Sequence, residues 1–209
     1  GVASSAYDDA TAVDGTVYYY KVTAVDAANE SDASGEATAY PGVLRINAGG
    51  GLVAATDAGP DWEQDTTGSN HPFLADAGSN NSSAGSVSTF DATVPGYVPA
   101  GVWGSERWSS TGFSYDIPVP AGDWVVVNVL AGNSWIGSDG PGDRVFDLNV
   151  EGTLEAGIDL SGTYGHETGH MFSYTVQSDG TIDIDFIVGL ANNPLVNAIE
   201  VISTTAPPP

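Results

Sequence analysis

The feature that most narrows what this chain can become is its patterning. Apolar residues never keep the spacing of a helix over the ten or so positions a helix needs. Instead, β-branched and aromatic residues gather in short runs, at 16–25, 43–47, 113–119, 124–130, 145–150, 171–176, 181–188 and 196–202. Gly, Asp, Asn, Ser and Pro punctuate them, so the expected class is all-β. Between about 57 and 100 the pattern lapses. A loop of that length predicts a functional or decorative insertion.

Charge then removes whole classes of partner. Against 27 acidic residues stand only Lys21, Arg45, Arg107 and Arg144, a net charge of −23. Nucleic acid and anionic membrane would be repelled. A chain so charged is disordered when it lacks apolar residues, but here 41% are hydrophobic, which predicts a folded core under an acidic coat. Such self-repulsion is screened within about 3 Å at 1 M salt. The near-absence of lysine therefore points to a halophilic source, with calcium-seeking loops as the competing explanation. There is no cysteine, hence no disulfide and no thiolate metal site. No apolar run nears the roughly 20 residues of a membrane span, so no membrane insertion is expected.

The segment Asp14-Gly15-Thr16-Val17-Tyr18-Tyr19-Tyr20-Lys21-Val22-Thr23-Ala24-Val25-Asp26, followed by Ala28-Asn29-Glu30-Ser31, resembles the last strands of a fibronectin type III domain. Tyr18, Tyr20, Val22 and Ala24 alternate onto one face, as packing against a second sheet requires. The resemblance implies that Tyr18 is the corner tyrosine and that residues 1–40 are a partial immunoglobulin-like domain, about three strands of about seven. One expectation is that strands from a neighbouring copy complete that sheet; the other is that the parent chain supplies them.

From 42 to 203 a series of motifs resembles the malectin family. In order they are Arg45-Ile46-Asn47-Ala48-Gly49-Gly50, Asp61-Trp62-Glu63-Gln64-Asp65 and Val102-Trp103-Gly104-Ser105-Glu106-Arg107-Trp108. Phe113-Ser114-Tyr115-Asp116-Ile117-Pro118-Val119 and Gly122-Asp123-Trp124-Val125-Val126 follow. Arg144-Val145-Phe146-Asp147-Leu148-Asn149-Val150-Glu151-Gly152 and Asn193-Pro194-Leu195-Val196-Asn197-Ala198-Ile199-Glu200 close the series. The resemblance implies a jelly-roll-like, galactose-binding-like β-sandwich that binds carbohydrate without catalysis in a cleft between loops. Residues 204–209, ending Pro207-Pro208-Pro209, look like a linker or tail.

By position in the family pattern, Trp62, Trp135 and Asn192 are the expected carbohydrate contacts, with Tyr97 and Phe73 as candidates in the long loop. A sugar offers flat C–H faces to aromatic rings and hydroxyl rims to paired donors and acceptors, so a site needs both. Trp62 and Trp135 can equally be loop-shielding side chains. For Trp103, Trp108 and Trp124 a structural role is expected, filling the core or shielding loops, and for Glu106-Arg107 a structural ion pair. The sequence departs from the family at Gly132, where a carboxylate is lost, at Asn128, a core leucine position, and at Asn192, an amide in place of an acid.

His166-Glu167-Thr168-Gly169-His170 spells a zinc-protease motif, which grips metal only on a helix. Gly162, Gly165 and Gly169 and the alternation after Met171 predict a loop entering a strand instead, with the imidazoles about 13 Å apart. No catalytic residue, cofactor or metal site is therefore expected. Asp139-Gly140-Pro141-Gly142-Asp143 and Asp57-Ala58-Gly59-Pro60-Asp61 match no calcium-loop register and read as acidic turns. Asn29, Asn80 and Asn81 begin sequons, which chance in Ser- and Asn-rich loops also explains. The leading expectation is a carbohydrate- or glycan-binding module of a secreted or cell-surface protein. The alternative is a structural subunit of an extracellular filament or surface layer, binding copies of itself by strand addition, with the sugar site degenerate.

Overall fold

The computed structural model describes residues 9, 11–12, 18–26, 29–39, 42–75 and 87–204. Thr16, Val17, the sequons at Asn80 and Asn81, and Pro207 to Pro209 lie outside them.

Two antiparallel strands, β1 (Tyr18–Tyr20) and β2 (Ala37–Ala39), pair ahead of the main body. Tyr18 and Tyr20 are half-buried and stack at 6.2 Å. The expected apolar face is covered only at this tyrosine end: Val22 is 69% exposed and Ala24 is exposed too. A hairpin this small buries little by itself.

The main body is a β-sandwich. One sheet has six strands in the order β4 (Glu63–Asp65), β3 (Val43–Ala48), β14 (Ala198–Thr204), β8 (Trp124–Ala131), β11 (Thr168–Gln177) and β5 (Thr89–Phe90). The other has four, β10 (Thr153–Asp159), β9 (Val145–Val150), β12 (Thr181–Ala191) and β7 (Phe113–Pro118). Strict alternation along β7 and β9 turns Phe113, Tyr115 and Ile117, and Phe146, Leu148 and Val150, inward. They meet Val125, Val127, Val129, Ile199 and Val201 of the larger sheet in one core. Trp124 falls on the other face of β8 from these valines and is only partly buried, so it lies outside this core.

The six-stranded sheet is buried on its outer face as well. Trp62, Val87, Val102, Trp103, Leu130 and Ala198 form a second apolar cluster there, built largely from the long segment before β6 (Arg107–Trp108). This explains the near-continuous burial along β8. It also explains Asn128: its Nδ2 donates to Glu200 at 2.8 Å, and Glu200 accepts from Arg45 Nε at 2.8 Å and from the Tyr97 hydroxyl at 2.6 Å. Register makes the cluster, because Glu200 lies opposite Arg45 on one side and Asn128 on the other. Tyr97 is therefore tied to this cluster, and Phe73 packs against the main core.

A second buried pair fixes β6. Arg107 donates through Nε to Asp65 at 2.6 Å, and the Tyr115 hydroxyl donates to the same carboxylate at 2.5 Å. Arg107 thus has a buried partner in Asp65 across the fold, beyond the neighbour Glu106 expected from sequence. Arg107 in turn registers with Val196 in the small pair formed by β6 and β13 (Leu195–Val196).

Candidate functional site

Three chain crossings converge on one small cavity. The pairing of Leu195 with Trp108 lays Glu106 and Trp108 beside the turn at Asn192 and Asn193. After an irregularity in β12, Ala191 pairs with Val145, which brings Arg144 to the same turn. The loop leaving β8 supplies Trp135. These six residues line about 190 Å³.

Buried polar groups hold the Trp135 loop. Asn133 Nδ2 donates to the Ser138 carbonyl at 2.5 Å and to Ser161 Oγ at 2.9 Å, and the Ser138 amide returns to the Trp135 carbonyl at 3.0 Å. Fully satisfied, such a network makes a loop rigid. The Trp135 ring itself is 51% exposed. It lies on Gly137, where a Cβ would collide with the indole, so glycine is required for this pose. Asn192 has φ 57°, in the left-handed region that asparagine tolerates, and its Oδ1 accepts from the Asn193 amide at 2.9 Å.

Arg144 is the unusual group. It is 3% exposed, its Nε donates to Ser138 Oγ at 3.4 Å, and its guanidinium lies 6.0 Å from the Trp135 ring centre. Its Nη1 is buried with no hydrogen-bond partner. Burial holds Arg144 below the ordinary arginine value, and the charge of Glu106 offsets part of that effect. Glu106 is itself buried and lines the cavity.

Of the three expected contacts, the structure brings Trp135 and Asn192 together and separates Trp62. Trp62 is 0% exposed in the second apolar cluster, under the Arg45 guanidinium at 5.2 Å, and its indole offers no face to solvent. That burial corrects the expectation of a loop stacking platform. Trp103 is core, as expected. Trp108 packs on the core with one side and faces the cavity with the other. Sequence reasoning missed Glu106, Arg144 and Gly137 as site residues. The signal for Arg144 was the scarcity of cations.

His166 lies in a turn, Glu167 has φ 58°, and His170 is within β11, so the zinc-protease spelling occupies no helix. His170 Nδ1 meets Asp91 Oδ2 at 2.5 Å and its ring stacks on Tyr164 at 3.8 Å. In both acidic turns a carboxylate is already engaged by protein donors. Asp143 Oδ2 accepts from the Gly140 amide at 2.9 Å, and Asp57 takes both Arg45 nitrogens at 2.8 Å. Among the described residues, no three metal-binding side chains cluster. Among the described residues, no helix is long and apolar enough to cross a membrane.

A family model described as the malectin domain matches residues 42–199, three quarters of the chain. The chain belongs to the malectin domain family. The sandwich also aligns with solved structures of plant receptor ectodomains. One is plant receptor-like kinase FER, at 15% identity and TM-score 0.65, covering 77% of this chain and 48% of that one. Another is FER with the plant peptide RALF23 and LLG2, at 16% identity, TM-score 0.65 and the same coverage. The ANXUR1 extracellular domain from Arabidopsis thaliana aligns at 13% identity and TM-score 0.65, covering 77% of this chain and 47% of that one. At these identities the likeness is one of fold, and this chain spans about half their length. A comparison with curated protein sequences gives no match. The malectin domain's strands account for the two sheets, and the cavity sits among its loops.

Proposed function

We propose that this malectin domain is a non-catalytic carbohydrate-binding module of an extracellular or cell-surface protein, with the sugar seated between Trp135 and Asn192. The observation that carries the reading is Trp135: a half-exposed indole on a rigid loop, beside two amides and two charged groups. An indole face covers the C–H face of a pyranose, and the amides supply donors and acceptors to its rim. Ile136 and Leu190, 73% and 92% exposed, flank the loop and turn with further apolar surface. Glycoside hydrolysis needs two carboxyl groups across the scissile bond, and among the described residues Glu106 is the one acid that lines the cavity.

FER was crystallised with a peptide and a second protein, and ANXUR1 is an extracellular domain. Those descriptions support an exported binding module here, and the cavity chemistry favours a sugar as its ligand. The acidic coat suits high salt, so binding belongs in molar salt. Titration calorimetry with a panel of mono- and disaccharides tests the reading. At least one sugar should bind, and Trp135→Ala should weaken it about tenfold or more. No binding by any sugar, or full affinity in Trp135→Ala, overturns it.

A further inference from the structure

The four cations of this chain are not treated alike. Lys21 meets Glu36 at 3.3 Å, Arg45 meets Asp57 and Glu200 each at 2.8 Å, and Arg107 meets Asp65 at 2.6 Å. Arg144 forms no salt bridge among the described residues, although carboxylates outnumber cations almost sevenfold in the sequence. A buried guanidinium with no salt bridge, whose one hydrogen bond is the long one from Nε to Ser138 Oγ, recovers little of the solvation it loses. Its Nη1 is unpartnered and it lines the cavity, so the missing acceptor belongs to something that enters there.

The second charged group lining the cavity decides what that something is. Glu106 acts on Arg144 electrostatically, and the salt bridges among the described residues do not include one between the two. The cavity thus carries one obligate donor and one acceptor-only group, held apart, with their charges cancelling. An incoming carboxylate would satisfy Arg144 but would meet Glu106 and a protein of net charge −23. A neutral hydroxyl can accept from Arg144, and a neighbouring hydroxyl can donate to Glu106, with no charge added.

Resting on the carbohydrate reading above, we propose that Arg144 and Glu106 are the polar recognition pair of this cavity, selecting an uncharged sugar by two adjacent hydroxyl groups and rejecting acidic sugars. Trp135 supplies stacking that any pyranose can use; the pair supplies the choice. Arg144→Gln keeps length and polarity and removes a buried charge, so the fold is expected to persist.

The test is titration calorimetry in molar salt with uncharged disaccharides such as maltose, lactose and cellobiose, and with cellobiouronic acid as the charged counterpart of cellobiose. The best uncharged disaccharide should bind at least about tenfold tighter than any acidic one. Arg144→Gln and Glu106→Gln should each weaken it by about tenfold. On the unaltered protein, O-methylation of either of the two hydroxyls should do the same, which removes any dependence on how a variant folds. Tighter binding of the uronic acid, unchanged affinity in both variants, or indifference to O-methylation overturns the pair while leaving sugar binding at Trp135 intact. Failure of every sugar to bind overturns the carbohydrate reading, and the pair with it.

Discussion

Asp65 grips the edge of Arg107 with both carboxylate oxygens, Oδ2 at 2.6 Å from Nε and Oδ1 at 2.7 Å from Nη2, and neither side chain is exposed. The Arg107 Nη2 also donates to the Asp65 carbonyl at 2.6 Å, so β4 and β6 are tied through a single residue pair. Burial, and then the charge of Asp65, push the Tyr115 hydroxyl well above the ordinary tyrosine value, so it stays a donor to that carboxylate. Asp65→Asn strands a buried cation. A loss of about 3–5 kcal/mol in unfolding free energy is expected by denaturant titration. A loss below about 1 kcal/mol would show the pair to be dispensable.

Trp62 and Trp135 should part company under substitution. Trp62→Ala opens a cavity in the outer cluster and is expected to cost about 3–5 kcal/mol. Trp135→Ala removes a half-exposed ring and should change the unfolding midpoint little, its effect falling on ligand affinity. Gly137→Ala should weaken binding too, by lifting the ring off the backbone it lies on. Paired melts and titrations of the three variants check this; equal destabilisation by both tryptophan substitutions is the contrary result.

The acidic coat predicts a salt dependence with an address. Asp183 stands directly opposite Asp116 on neighbouring strands. Although Asp183 is exposed, local desolvation and then the charges of Asp116, Asp185 and Asp179 raise its pKa above the ordinary 3.8. A raised carboxyl pKa means a penalty at neutral pH that is relieved as the pH falls through the folded value. Asp183→Asn should stabilise the protein by a few tenths of a kcal/mol at low salt. In 1 M salt the gain should vanish, since the Debye length shrinks to about 3 Å. A gain that is the same at both ionic strengths would rule out repulsion as its cause.

Asp57 behaves in the opposite sense. The hydrogen bonds from Arg45 hold its pKa below 3.8 against the contrary effect of burial. A depressed carboxyl pKa contributes stability that is complete above the unfolded value and lost as the pH falls through the folded one. Asp57→Asn should therefore be less stable than the parent at neutral pH. The two should converge as the pH drops below 3.8, toward the folded value. Urea titrations across the acid range read this directly, and a gap that widens with acid would contradict it.

The all-β class, the positions of the major strands and the turn-to-strand character of 166–170 follow from local order, because alternation and glycine placement act over a few residues. The family motifs carried the sandwich from 42 onward for the same reason: each is a strand with its flanking turn. Strand β10 escaped, since Thr153, Leu154, Glu155, Ala156 and Gly157 are exposed and show no buried alternation. The site depended on contacts that no window contains. Trp62 and Trp135 both sit among Gly and Asp, and only the sheet beneath them decides that one is sealed and the other open. Arg45 finds Glu200 across 155 positions, Arg107 finds Asp65 across 42, and Arg144 forms no salt bridge among the described residues. Local sequence sets which face a side chain takes; strand pairing over long loops sets what waits there, and that is where burial and charge compensation are decided.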